Sequence, residues 1–339
     1  MTNYKVKLCS IHIPDMIKVS NLLHTYSAKE QMSNFGPLYH MFKEKLKEYL
    51  KVDDSKEIII TSSGHIALMT ATHALYSRSI LCPNYTFLST SASIELQKEK
   101  RVDWLQTENN NGMLTVEHLE AIDPRFDTVM AICPLSNIPN LKAISKWCKE
   151  HQRKLIIDGA ATFGTPGIVN YGDAFCMSFH ATKAFPLGEG GILIIDKIEF
   201  NASKQYINFG SIENPGINGK VSEYTCAIGI ALLDEIDDDI VKRKRNTDLY
   251  KSLLNKDLYA DDQENTVYSL FPIYFEDPEL TTKVFNNLIS NGYEVRQYYQ
   301  NTFPRNVIHP LAKRNIVLPC HPDVTEENIK DICSLIRTS

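Results

Sequence analysis

Seven short apolar runs, each bounded by a turn or a helical pattern, constrain this chain more than any other feature. They are EIIIT ending at Thr61, SILCP from Ser79 to Pro83, RVDWL, TVMAIC, KLIID, AFCMSF and GILIID. Helical periodicity fills much of the space between them. Residues 38–50 put Leu38, Met41, Phe42, Leu46, Tyr49 and Leu50 on one face. A second helical stretch, HIALMTATHAL, runs on from Ser62-Ser63-Gly64, and helical pattern returns after Phe87. Asn140 is placed to cap a helix that carries Leu141, Ile144 and Cys148 on one side. Strands alternating with helices imply an α/β fold with a mostly parallel sheet covered on both faces. Such sheets bind ligands beyond the carboxyl ends of their strands.

With 339 residues, 43% of them hydrophobic, the chain can bury a sizeable core and divide into a larger and a smaller domain. Its texture changes after about Lys204. The loop FGSIENPGINGK leads to a long helix from roughly Ser222, then to the strand-like VYSLFPIYF. The last helix has Thr325 as N-cap, with Val324 and Ile329 spaced as a hydrophobic staple. The expected division is a large domain over 1–204 and a smaller C-terminal α/β domain over 205–339.

The formal net charge is −5, and no run of Lys and Arg suggests a nucleic-acid or polybasic membrane surface. No apolar stretch approaches the roughly 20 residues that span a bilayer, and the N-terminus does not read as a signal peptide. Eight scattered cysteines without a CxxC pair predict free thiols in a reducing cytoplasm.

Three groups carry chemistry. Lys183, in SFHATKAFPLGEGG, follows an apolar strand and precedes a Gly-rich turn. Most lysines are solvated. An amine held partly desolvated at a strand end loses basicity and becomes a nucleophile able to form a Schiff base. Asp158 ends KLIID, where a buried carboxylate needs a partner. It reads either as a helix N-cap or as the ionic partner of a protonated ring nitrogen. Ser62 to His65 form a strand-to-helix turn, whose backbone N–H groups make an anion site with Gly64 allowing close approach. Ser178 offers a hydroxyl to the same anion, and Phe87 either stacks on a flat ring or packs in the core.

Taken in order, the segments NFGPL at Asn34, SSGHIAL at Ser62, PNYTFLST at Pro83, IIDGAATFG at Ile156, SFHATK with GEGG from Ser178, GINGKVSE from Gly216 and LPCHPDVTEENI at Leu318 resemble the DegT/DnrJ/EryC1/StrS sugar aminotransferases. The resemblance implies a fold-type I, aspartate-aminotransferase-like architecture with pyridoxal 5'-phosphate (PLP) as cofactor. It implies that Lys183 is the Schiff-base lysine, Asp158 the partner of the ring nitrogen and Phe87 the stacking aromatic. Gly64, His65 and Ser178 fall at phosphate-binding positions. Asn218 matches an asparagine that reaches the phosphate of a partner subunit, so the resemblance implies a homodimer with shared sites.

Two positions depart from the common pattern. His65 stands where Thr is usual, which keeps the backbone N–H but removes a hydroxyl contact. Ala161 stands where a glutamine usually meets the ring hydroxyl. A subgroup that also lacks the glutamine contains enzymes acting on dTDP-4-keto-6-deoxy sugars. The implied reaction moves an amino group from L-glutamate to such a nucleotide-linked sugar, for bacterial surface polysaccharide.

Alternatives are a PLP-dependent sugar dehydratase, against which the lysine at 183 argues, and a non-catalytic PLP- or nucleotide-sugar-binding protein. A nicotinamide enzyme is disfavoured because no GxGxxG follows the first strand. His180, Lys220, Glu223 and Arg296 each have a site reading and a plain surface or packing reading.

Overall fold

The computed structural model describes residues 4–27, 31–107, 111–122, 125–260, 265–300 and 308–339. All seven apolar runs are strands: β1 (Lys56–Thr61), β2 (Ser79–Pro83), β3 (Arg101–Leu105), β4 (Thr128–Ile132), β5 (Lys154–Asp158), β6 (Ala174–Ser178) and β7 (Gly191–Asp196). They form one sheet in the order β1-β7-β6-β5-β4-β2-β3. The pairs β2/β3, β2/β4, β4/β5 and β5/β6 are parallel, whereas β7 runs antiparallel to both β1 and β6.

The runs are apolar throughout because successive side chains enter two different cores. Ile58 and Ile60 of β1 face one core and Ile59 the other. Val129 and Ala131 oppose Met130 and Ile132 in β4, Leu155 and Ile157 oppose Ile156 in β5, and Phe175 and Met177 oppose Cys176 in β6.

On one face lies the helix Pro37–Leu50, which buries Leu38, Tyr39, Phe42, Leu46 and Leu50. Met41 and Tyr49 are only partly buried at the edge of that core. On the other face lies the helix Gly64–Ala74, which buries Ala67, Leu68 and Ala71. Asn140 caps the helix Leu141–Glu150, its Oδ1 accepting from the N–H of Ala143 at 3.1 Å.

The long helix expected from Ser222 is two helices, Glu223–Leu233 and Ile236–Leu253, with a break at Asp234 and Glu235. The first packs its Cys226, Ala227, Ile230 and Leu233 into the core shared with Phe42 and Leu46. Strand structure in VYSLFPIYF is confined to Phe271–Tyr274, paired antiparallel with Asn315–Leu318. This small sheet lies in a separate core with Tyr250, Val284, Leu288, Ile329 and Ile332. Thr325 caps the last helix, Glu326–Arg337, in a capping box with Asn328, and Val324 and Ile329 are both buried. No helix among the described residues is long and apolar enough to cross a membrane.

The N-terminal segment joins the two cores. Val6 enters the smaller core, and the N–H of Leu8 donates to Glu294 Oε2 at 3.0 Å. His12 lies between two carboxylates, with Nε2 3.1 Å from Glu235 at the break and Nδ1 3.0 Å from Asp239 in the first turn of the second helix. Burial opposes charge on His12, and the hydrogen bonds with Glu235 and Asp239 outweigh it, so its pKa is raised. A raised histidine pKa adds stability that is complete below the unfolded value, about 6.5, and is lost as pH rises through the folded value. Thermal unfolding of wild type and His12→Gln should therefore differ most at mildly acidic pH and converge at alkaline pH. A difference that does not change with pH would contradict this reading.

Candidate active site

The carboxyl ends of β4, β5 and β6 open into a cavity of about 460 Å³. Its lining includes Gly64, His65, Phe87, Asp158, Ser178 and Lys183, so the structure brings together six of the seven residues singled out in the sequence. The seventh, Asn218, lies elsewhere. It ends the strand Pro215–Asn218 of an exposed hairpin paired with Asn208–Gly210 and does not line this cavity.

Lys183 sits in the turn from β6 to β7. The turn closes with Phe179 N–H donating to Gly190 O (2.9 Å) and Ala181 N–H to Gly188 O (2.9 Å). Phenylalanines on both sides anchor it. Phe179 and Phe185 are fully buried, with ring centroids 4.8 Å apart, and Phe185 also packs on Phe163 at 4.6 Å. The N–H of Ala184 donates to Ser269 Oγ at 3.1 Å. Held this way, the half-buried side chain lines the cavity, and desolvation pushes the amine's pKa down, with Asp158 and Cys9 acting in the opposite sense. Lowering an amine's pKa raises the share of the neutral, nucleophilic form.

Asp158 is 5% exposed. Thr90 Oγ1 donates to its Oδ2 at 2.6 Å, and the N–H of Ala160 donates to its Oδ1 at 3.1 Å. Burial raises its pKa, while the Thr90 and Ala160 hydrogen bonds and the Lys183 charge pull it back. The N–H of Ala160 lies two residues on, an Asx-type contact rather than a helix cap, since no helix follows β5 directly.

At the other end of the cavity, Ser63 caps the helix Gly64–Ala74 through the N–H of Ile66. The N–H groups of Gly64 and His65 have no hydrogen-bond partner among the described residues. They are the first two donors of that helix, next to the hydroxyl of Ser178. The immediate reason for glycine at 64 is packing, because a Cβ there would lie 2.8 Å from Ser178 Cβ. The His65 ring turns to Ser89, with Nδ1 3.0 Å from Oγ and 3.1 Å from the carbonyl oxygen. Phe87 lies at the mouth, 55% exposed.

Of the residues with two readings, His180 and Arg296 line the cavity. Arg296 also pairs with Glu294 at 2.9 Å, and His180 Nδ1 lies 3.0 Å from Thr182 Oγ1. Glu223 is a packing residue. Its buried carboxylate accepts the N–H groups of Leu38 (2.7 Å) and Tyr39 (3.0 Å) at the start of the helix Pro37–Leu50. Lys220 donates to Asn208 Oδ1 at 2.6 Å in the exposed hairpin region.

Sequence reading missed Thr86, Thr90, Ser136, Ser269 and Tyr299, all but Tyr299 small hydroxyl residues. Ser136 and Ser269 both donate to the carbonyl of Ala161, at 2.6 and 3.0 Å. The N–H of Leu135 donates to Tyr299 Oη at 3.1 Å. Together these contacts hold Leu135 and Ser136 at positive φ, +54° and +72°.

Comparison with known proteins accounts for the arrangement. The DegT/DnrJ/EryC1/StrS aminotransferase family profile matches residues 18–337. The chain belongs to this family. It is a PLP-dependent sugar aminotransferase of fold type I. Among relatives of this aminotransferase, a dTDP-4-amino-4,6-dideoxy-D-glucose transaminase of Shigella dysenteriae is 27% identical, covering 96% of each chain. A GDP-perosamine synthase of Vibrio cholerae is 25% identical, covering 90% of this chain and 92% of its own. In fold, the aminotransferase resembles DesI, solved in the presence of its TDP-sugar product (TM-score 0.83, 23% identity, 100% and 93% of the two chains). It also resembles Helicobacter pylori PseC, an aminotransferase involved in the biosynthesis of pseudoaminic acid (TM-score 0.81, 19% identity, 99% and 98%).

The donor set of the aminotransferase suits PLP. A depressed amine suits its aldehyde, a buried carboxylate its ring nitrogen, and two unpaired helix N–H groups beside a hydroxyl its phosphate. Gly64→Ala should therefore displace Ser178 and this turn, weakening PLP retention by about tenfold or more with the fold intact. Equilibrium dialysis against PLP checks this, and unchanged affinity would contradict it.

Proposed function

We propose that this aminotransferase moves the amino group of L-glutamate to a 4-keto-6-deoxy sugar carried on a nucleotide, with dTDP as the carrier. The observation that carries the reading is the convergence of a desolvated Lys183 amine and a buried Asp158 carboxylate on one cavity. The sugar class is supported by the Shigella relative and by an Escherichia coli dTDP-4-amino-4,6-dideoxy-D-glucose transaminase, 26% identical over 99% of each chain.

When bound, PLP supplies an electron sink for the pair left behind when a proton leaves the substrate carbon. The chain's residues do the rest. Lys183 Nζ would tether the cofactor and, when free, would be the base that takes a proton from the donor's carbon and returns one on the other side of the transfer. Asp158 would hold a proton at the ring nitrogen. The N–H groups of Gly64 and His65, with the Ser178 hydroxyl, would hold the phosphate, and Phe87 would pack against the ring.

Asn218 belongs to the second site of a homodimer in this reading. Its exposed position on a hairpin away from its own cavity supports that assignment.

Adding PLP to the purified protein should produce a visible absorption band, and glutamate should bleach it. Lys183→Ala should abolish turnover with a dTDP-4-keto-6-deoxy sugar, and Asp158→Asn should lower it by orders of magnitude. A band that ignores glutamate would overturn the choice of donor. Near-normal turnover by Lys183→Ala would overturn the mechanism.

A further inference from the structure

Asp158 has few resources for staying ionised. Its surroundings include the thiols of Cys82 near the end of β2, Cys133 just after β4 and Cys176 in the middle of β6, each at most 4% exposed. Thiols are weak donors and, neutral here, bring no positive charge. Two stronger donors reach the carboxylate among the described residues, the N–H of Ala160 and the hydroxyl of Thr90.

The Thr90 hydroxyl is itself supported. Thr86 Oγ1 donates to Thr90 Oγ1 at 2.9 Å, and both threonines are buried. The direction of this chain is set at its end, because an ionised carboxylate only accepts. The Thr90 proton therefore points to Asp158, and its oxygen accepts from Thr86. Polarisation along such a chain strengthens its terminal bond. At 2.6 Å, that bond has the length of a charge-assisted O–H···O contact.

We infer that Thr90, backed by Thr86, is a positioning residue that keeps Asp158 ionised and so keeps the proton on the ring nitrogen of bound PLP. The inference rests on the role of Asp158 proposed above. A proton placed between a carboxylate and a pyridine nitrogen stays with the more basic of the two. Each hydrogen bond donated to the carboxylate makes it less basic. Without Thr90, the carboxylate draws the proton away, the ring turns neutral, and its capacity to accept electrons falls. Burial raises the Asp158 carboxyl, and Thr90 is the foremost of the groups that oppose it.

The deciding variant is Thr90→Val, which keeps the shape and removes the hydroxyl. Wild type, Thr90→Val, Thr90→Ser, Thr86→Val and Asp158→Asn would be loaded with PLP labelled isotopically at the ring nitrogen. The nitrogen resonance and the rate of the half-reaction with glutamate would then be measured.

In Thr90→Val the resonance should move toward that of neutral pyridine. The half-reaction should slow by roughly ten- to a hundredfold, the scale of a lost charge-assisted hydrogen bond, with the glutamate KM little changed. Thr90→Ser should restore both. Thr86→Val should move both in the same direction by less, and it decides the matter if Thr90→Val does not fold.

A Thr90→Val enzyme identical to wild type, beside an Asp158→Asn enzyme that loses both, would overturn the inference and leave the role of Asp158 standing. If Asp158→Asn changes neither, the role of Asp158 falls and this inference with it.

Discussion

Keeping a lysine amine and a carboxylate inside one cavity works against solvation, because a buried ion costs several kcal/mol unless its surroundings replace water. Much of the architecture around β4, β5 and β6 sustains that arrangement. Register sets Asp158 opposite Ile132 and Cys176 on the neighbouring strands, so the carboxylate emerges where the sheet ends. The β6–β7 turn brings Lys183 back over it, with Phe179 and Phe185 sunk into the core on either side. Each group moderates the other. Lys183 pulls the raised Asp158 carboxyl down, and Asp158 pulls the depressed Lys183 amine up.

The anion end of the cavity obeys a different constraint, close backbone approach. Gly191 at the start of β7 lies under the first residue of the helix Gly64–Ala74, and a Cβ on Gly191 would come within 2.6 Å of the Gly64 nitrogen. The antiparallel pairing of β7 with both neighbours sets Gly191 opposite Thr61 of β1 and Ser178 of β6, which brings it to this turn. Strand order, glycine placement and the free helix N–H groups thus form one device. It points the first turn of the helix Gly64–Ala74 at the same space that Lys183 and Asp158 enter from the other side.

The strands are legible because two-sided burial leaves an unmistakable mark, an apolar run such as EIIIT or KLIID, and strand ends mark where ligands bind. Lys183, Asp158 and Ser178 were found on that ground. The insertion of β7 between β1 and β6 was not legible, since pairing between distant segments leaves no local trace. The break at Asp234 and Glu235 was also missed, because the helical pattern on both sides reads through it. Its chemistry shows only in the fold, where Glu235 turns to His12. Thr90 is not legible because the two threonines of TFLST carry no chemical signature of their own. Thr86 lies in the bend before the N-cap Phe87, so its contact with Thr90 across the start of the helix Leu88–Glu95 leaves no periodic mark in the sequence. The conformation of Leu135 and Ser136 depends on Ser269 and Tyr299, more than 130 residues away in the chain, beyond any local pattern.

The central claim is that Lys183 bears the cofactor, and chemical mapping tests it most directly. The protein loaded with PLP would be reduced with borohydride, which fixes the cofactor to its lysine, then digested and read by mass spectrometry. The account requires the pyridoxyl mass on the peptide containing Lys183 and on no other. A label on a different lysine, or none after saturation with PLP, would contradict it.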